Sequence, residues 1–284
     1  MAGFRLLLSG SQLSCHGGSV RLTKSLAAFA TLVLAVVFGV VAAGPANAAG
    51  PAYVALGDSY SAGNGAGNYD SASGNCHRSF SAYPYLWKNA HSPSSFADTA
   101  CSGAVTTDVT NSQLGPLNSS TGLVSITIGG NDAGFSDVMT TCVTGSDSDC
   151  VNRVNTAENY VRNTLPARLD ATYNAIRSHA PNARVVVLGY PHMYDLSAWF
   201  CVGLSDTKHQ KIDEASDVLD SMLASRAAAH GFAWGDVRST FNGHELCSGD
   251  DYLHSLVVSP SWESYHPTAT GHSAGYYPVL NAND

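Results

Sequence analysis

The apolar positions of this chain fall into short continuous runs at wide intervals. The longer stretches between them carry apolar residues at helical spacing. Ala52-Tyr-Val-Ala-Leu-Gly57, Leu123-Val-Ser-Ile-Thr-Ile128 and Arg184-Val-Val-Val-Leu-Gly189 are largely apolar runs, and each ends on or just before glycine. Near-continuous Val/Ile/Leu runs of this length predict central parallel strands buried on both faces. Phe96–Ala100 and Phe232–Val237 are weaker runs and predict edge strands. Between the runs, Val151–His179 places Val161, Leu165, Leu169, Tyr173 and Ile176 on one helical side, with Pro166 as a break or kink. Asp206–His230 predicts a second long helix, and Gly231 follows it as a C-terminal cap. Strands alternating with helices predict an α/β sandwich around a mostly parallel sheet. No repeat or linker interrupts residues 49–284, which read as one domain.

The first 48 residues follow a different rule. Arg21 and Lys24 precede an apolar stretch from Leu26 to Ala43, and Gly44-Pro45-Ala46-Asn47-Ala48 supplies a small-x-small site. That order reads as a cleaved export signal. Length alone would also suit a membrane anchor. The Ala46-x-Ala48 site and the lack of basic residues just after the stretch favour cleavage, so the expected product is secreted and has no membrane span. Residues 49–284 then carry eleven Lys and Arg against 22 Asp and Glu, a net charge of −11. Such a surface argues against nucleic acid or anionic membranes as electrostatic partners. Of seven cysteines, Cys15 leaves with the signal. Cys76, Cys101, Cys142, Cys150, Cys201 and Cys247 remain, an even set that predicts three disulfides in an exported domain. The simplest pairing joins sequence neighbours. No Cys-x-x-Cys pair or His-Glu-x-x-His run points to a metal.

The chemistry-bearing residues sit where strands end, the edge at which open α/β sheets bind ligands. After the first strand comes Gly57-Asp58-Ser59-Tyr60-Ser61-Ala62-Gly63. A serine between a buried strand and a helix can expose its hydroxyl for acyl transfer and turn its backbone N–H toward a developing oxyanion. It could equally be a helix cap. After the second run comes Gly129-Gly130-Asn131-Asp132, where glycines admit a substrate to the backbone and the Asn131 amide offers a donor. Ala100-Cys101-Ser102-Gly103-Ala104 lies between them, and Gly103 can present an unobstructed N–H. Near the C-terminus, Trp262-Glu263-Ser264-Tyr265-His266-Pro267 places a histidine at a forced chain break.

In this order and spacing, Gly57-Asp58-Ser59, Gly103, Gly129-Gly130-Asn131-Asp132 and His266-Pro267 resemble the SGNH (GDSL) hydrolase superfamily. The resemblance spans essentially all of residues 49–284 and is greatest to the secreted actinobacterial lipases and phospholipases A1, which share the six-cysteine layout. It implies a three-layer α/β/α sandwich with about five parallel strands. Ser59 would be the nucleophile and His266 the general base. Ser59, Gly103 and Asn131 would form the oxyanion hole, and Cys76–Cys101, Cys142–Cys150 and Cys201–Cys247 would be the disulfides. No cofactor or metal is implied. The expected substrate is a lipid or small-molecule carboxylic ester, and the expected state is a monomer. Ser61, Ala62, Gly63 and Ala133-Gly134-Phe135 are candidates to shape an acyl groove. One position departs from the pattern: Glu263 stands where the family places an aspartate three residues before the histidine. Either Glu263 completes a triad, or a nearby backbone carbonyl, Ser264 first among them, accepts the His266 ring N–H. A carbohydrate deacetylase on the same fold and a non-catalytic binding protein remain as alternatives at this point.

Overall fold

The computed structural model describes residues 50–284. The export segment and its cleavage site lie outside the described residues. In chain order the elements are β1 (Ala52–Gly57), α1 (Ser59–Ala62), α2 (Tyr83–His91), β2 (Phe96–Asp98), α3 (Thr106–Asp108), β3 (Thr121–Thr127), α4 (Phe135–Thr144), α5 (Asp147–Asn163), α6 (Leu165–His179), β4 (Arg184–Leu188), α7 (Asp206–Ala229), β5 (Ala233–Gly235), α8 (Arg238–Phe241) and α9 (Tyr277–Asn283). The five strands form one sheet in the order β2-β1-β3-β4-β5, and every pair is parallel. Helices cover both sides of it. The α5, α6 and α7 helices pack on one another, and α2 packs on α9. This is the α/β/α sandwich that the alternating pattern predicts.

The central runs are strands because both of their faces are covered. Tyr53, Leu56, Val124, Ile126 and Val185–Leu188 are all buried in one continuous core. The edge strands are shorter than their runs predict: β2 stops at Asp98 and β5 covers only Ala233–Gly235. The β5 strand ends at Gly235, opposite the last residue of β4, whereas β2 leaves regular pairing at Asp98 although β1 runs on to Gly57. The long periodic stretch 151–179 is two helices rather than one. Pro166 stands in the first turn of α6, and Thr164 closes α5 and opens α6. Proline disfavours helical geometry in the residue before it but suits a first turn, so the chain stops and restarts there. A capping box between Ser146 and Asp149 starts α5.

The strand order reverses direction across β1. The chain leaves β1 for β2 on one side and returns to β3 on the other. Loops leaving β1 and β3 therefore part in opposite directions and open a crevice at their carboxyl ends. Ser59 follows β1 and Asn131 follows β3, so topology alone brings both to that crevice.

Three disulfides join Cys76 to Cys101, Cys142 to Cys150 and Cys201 to Cys247. The second ties α4 to α5, and Lys208 on α7 donates to the Cys142 and Gly145 carbonyls at 2.7 and 2.8 Å, satisfying the end of α4. The 46-residue separation of Cys201 and Cys247 closes the longest loop, and the 8-residue separation of Cys142 and Cys150 the shortest. Chain-entropy arguments give about 4 kcal/mol for the former and about 2.5 kcal/mol for the latter. Protein lacking residues 1–48, and with them Cys15, should show no free thiol when denatured without reductant. Paired Cys→Ser variants should lose stability in denaturant titrations, Cys201/Cys247 by more than Cys142/Cys150.

Candidate active site

Gly57 has φ +123°, and a Cβ there would run into the Thr127 carbonyl, so only glycine lets β1 turn into α1 beside β3. The buried Gln113 side chain clamps this turn, accepting from the Gly57 N–H at 2.7 Å and donating to the Gly57 carbonyl at 2.8 Å. Asp58 caps α1 by accepting from the Tyr60 N–H. Its carboxylate also accepts from the Thr127 hydroxyl at 2.7 Å and the Tyr190 hydroxyl at 2.5 Å. Burial raises the Asp58 carboxyl to about 6, outweighing the three hydrogen bonds that favour its ionised form. Ser59 is thereby held as the first residue of α1.

The Ser59 Oγ lies 2.7 Å from His266 Nε2. On its other side the ring lies 2.9 Å from the Ser264 carbonyl, so Nδ1 carries the proton and donates to that carbonyl. This leaves Nε2 free to accept from the Ser59 hydroxyl. A carbonyl two residues back reaches the ring because Tyr265 adopts a left-handed conformation, φ +61°, which a bulky residue rarely takes. Neighbouring elements hold it there. The Tyr60 hydroxyl donates to the Tyr265 carbonyl at 2.7 Å, and the Tyr265 N–H donates to the His254 carbonyl at 2.9 Å. Glu263 faces elsewhere: its Oε1 accepts from the Tyr69 hydroxyl at 2.6 Å, and that hydroxyl accepts from the Gly65 N–H at 3.0 Å. Burial above all, with only partial relief from the Ser264 carbonyl, pushes the His266 ring down to about 4. The ring is neutral at physiological pH.

Gly103, Asn131, Ser59 and His266 line one opening. Gly103 has φ +78°. Among the described residues, neither its N–H nor that of Ser59 has an acceptor. One Asn131 amide hydrogen goes to the Ala104 carbonyl at 3.0 Å, which leaves the second for a ligand. Asp132 accepts from the Thr106 N–H and hydroxyl at 2.9 and 2.6 Å, and so ties the Asn131 loop to the Gly103 loop. The Asn64 amide donates to Ser102 at 2.8 Å, which ties the same loop to the turn after α1.

A largely apolar pocket leads from Ser59 and Asn131 between α4, α5 and α7, past Val138, Met139, Ala157, Val161, Ile212 and Leu219. Ala133 and Phe135 line it as the sequence suggests. Ser61, Ala62 and Gly63 do not. Ser61 is buried and shares hydrogen bonds with the Tyr83 and Thr127 hydroxyls, Ala62 is buried, and Gly63 packs on Ser79 and Ala82. Their small size serves the packing of α1 on the sheet, not the groove. Sequence reading also missed Gln113, Tyr190, Tyr60 and Tyr69. Tyr190 had a legible signal, standing directly after Gly189 at the end of a buried strand. The others act across the fold and carry no local signal.

A serine–imidazole pair, convergent N–H donors and an apolar pocket at a sheet's switch point define a hydrolase of the acyl-transfer class. The sequence model of the GDSL-like lipase/acylhydrolase family matches residues 55–274. The chain belongs to that family and is a carboxylic ester hydrolase. It is 61% identical over 255 residues to Lipase 1 of Streptomyces coelicolor, covering 88% of this chain and 95% of that one. It also resembles the crystal structure of phospholipase A1 from Streptomyces albidoflavus NA297, with a TM-score of 0.81 and 59% identity over 84% of this chain and 100% of that one. An extracellular lipase from Streptomyces rimosus gives a TM-score of 0.81 at 56% identity, covering 82% and 100%.

Glu263→Gln should keep its contact with Tyr69, because a neutral amide still accepts from the hydroxyl. Its kcat/KM should fall by no more than about tenfold, or ~1.4 kcal/mol. Neutralising a triad carboxylate costs about 10⁴, so a loss of about 10³ or more in a folded Gln variant would show that Glu263 acts on His266.

Proposed function

We propose that this protein is a secreted lipase-type enzyme that cleaves lipid carboxylic esters through an acyl-enzyme on Ser59. The observation that carries this reading is the 2.7 Å contact between Ser59 and a neutral His266 at the mouth of an apolar pocket. His266 Nε2 takes the Ser59 proton as Oγ attacks the ester carbonyl. The oxyanion is met by the Ser59 and Gly103 N–H groups and the free Asn131 amide hydrogen. The Ser264 carbonyl steadies the imidazolium through Nδ1–H. His266 then gives its proton to the leaving alkoxide, the alcohol departs, and the acyl-enzyme is hydrolysed by water with His266 again as base. The pocket receives the acyl chain. Its apolar walls favour an alkyl chain over the acetyl group of a carbohydrate ester.

Secretion is supported by the export signal in the sequence and by the likeness to an extracellular lipase. No helix among the described residues is long and apolar enough to cross a membrane.

A fluorophosphonate probe should label Ser59 and abolish activity; full activity in Ser59→Ala would overturn the assignment. Asn131→Ala should lower kcat by about 10²–10³, the usual loss for one oxyanion donor. In a series of p-nitrophenyl esters, kcat/KM should rise from acetate to longer chains, and a maximum at acetate would favour a deacetylase instead.

The pH profile follows from the His266 ring. Its value in the fold lies at about 4, below the ordinary 6.5, so the ring stays neutral and basic as pH falls through 6.5. The acidic limb of kcat/KM, which reports the free enzyme, should therefore lie below 6.5 and toward about 4. A limb at 6.5 or above would contradict the buried geometry.

A further inference from the structure

The loop joining β4 to α7 carries a tip that a soluble protein would normally bury. Leu196, Trp199, Phe200 and Val202 are 58, 97, 67 and 79% exposed. A second tip, Leu256 and Val258, is 57 and 90% exposed. Both tips lie on segments that follow carboxyl ends of β4 and β5, the edge of the parallel sheet where Ser59 follows β1. Leu256 also lines the opening that holds Ser59, Trp262 and His266, so the second tip is the rim of the site itself.

The first tip is pinned in this exposed position. Tyr194 bridges to Leu246, the Asp195 N–H donates to the Leu246 carbonyl at 2.9 Å, and Cys201 is bonded to Cys247. At its far end Ser205 caps α7. A loop fixed at both ends cannot fold its Trp and Phe into the core. Its charges also narrow what can cover it. Segment 189–205 holds no Lys or Arg; its Asp195 is engaged by the Ser197 N–H and hydroxyl, its His192 lies 2.8 Å from Asp217, and its remaining ionisable side chains are the tyrosines Tyr190 and Tyr194, so the tip 196–202 itself bears no charge. Segment 255–262 holds none. The surrounding domain carries a net charge of −11. Uncharged apolar tips on an acidic body suit a lipid surface without net negative charge, and tryptophan suits the boundary between headgroups and acyl chains.

We propose that the 196–202 tip, together with Leu256 and Val258, seats the protein on a neutral or zwitterionic lipid surface with the Ser59 opening turned toward it. This rests on the lipid-ester reading above for its biological sense, but its test does not depend on turnover. Vesicles of non-hydrolysable dialkyl-ether phosphatidylcholine should co-sediment the protein and shift its tryptophan emission to the blue. The Trp199→Ser/Phe200→Ser variant should bind them at least about tenfold more weakly, with an unchanged Tm and unchanged turnover of soluble p-nitrophenyl butyrate. Vesicles of the phosphatidylglycerol ether analogue should bind the wild type more weakly than phosphatidylcholine. Failure of the wild type to co-sediment, equal binding by the double variant, or tighter binding to phosphatidylglycerol would overturn the proposal. So would a wild-type dimer in sedimentation equilibrium that the double variant dissociates, since a second copy would then be the occupant. Absence of ester turnover alongside normal vesicle binding would count against the lipase reading and leave the docking surface standing.

Discussion

One buried carboxylate joins the parts on which the site is built. Asp58 accepts from the Tyr60 N–H at the start of α1, from Thr127 at the end of β3 and from Tyr190 just beyond β4. It thus ties together the carboxyl ends of the three central strands. A buried charge is tolerated only when its lone pairs are filled, and here that need fixes the turn that carries Ser59 against the two neighbouring strand ends. The Tyr190 hydroxyl lies within reach of the Gly130 N–H as well, so the same group touches the loop that presents Asn131. The spacing between Ser59 and Asn131 is therefore set by the sheet and its polar bolt rather than by either loop.

The opposite wall of the site depends on a different device. The segment 263–267 has little regular structure, yet it is bonded on several sides. Its main chain pairs with His254, its Tyr265 carbonyl with Tyr60, and Glu263 with Tyr69. His254 in turn lies 2.8 Å from the Gly65 carbonyl, just after α1. The serine and the histidine come from opposite ends of the chain, but both are braced against the turn 63–69.

Much of this was legible from local pattern. Val/Ile/Leu runs ending in glycine mark β1, β3 and β4 because burial on both faces leaves no room for polar alternation. The polar–glycine stretches after them mark the site because open α/β sheets bind ligands at the carboxyl ends of their strands. What could not be read depended on distant partners. Gln113 meets Gly57 across 56 residues, and Tyr190 meets Asp58 across 132. The place of Tyr190 after a buried strand marks it as a residue of the site edge, but neither neighbourhood names the distant partner. The sequence left Glu263 and the Ser264 carbonyl as alternatives because the offset of Glu263 from His266 fits a motif; only the left-handed Tyr265, which no local pattern announces, puts the main-chain carbonyl against the ring. The exposed apolar residues at 196–202 form a further gap, because hydrophobicity alone does not distinguish a core segment from a surface one.

The group that meets His266 Nδ1 belongs to the polypeptide itself. Any residue at position 264 would bring the same carbonyl, so side-chain replacement there leaves the orienting atom in place. A scan by alanine would pass over it in silence. The side chains at 263 and 264 act only on the loop, Glu263 through Tyr69 and Ser264 through Val257, while the imidazole meets the main chain. Selection should therefore be read in the conformation of the loop rather than in the identity of its acid. A sequence comparison that demands a carboxylate before the histidine would set aside enzymes built in this way.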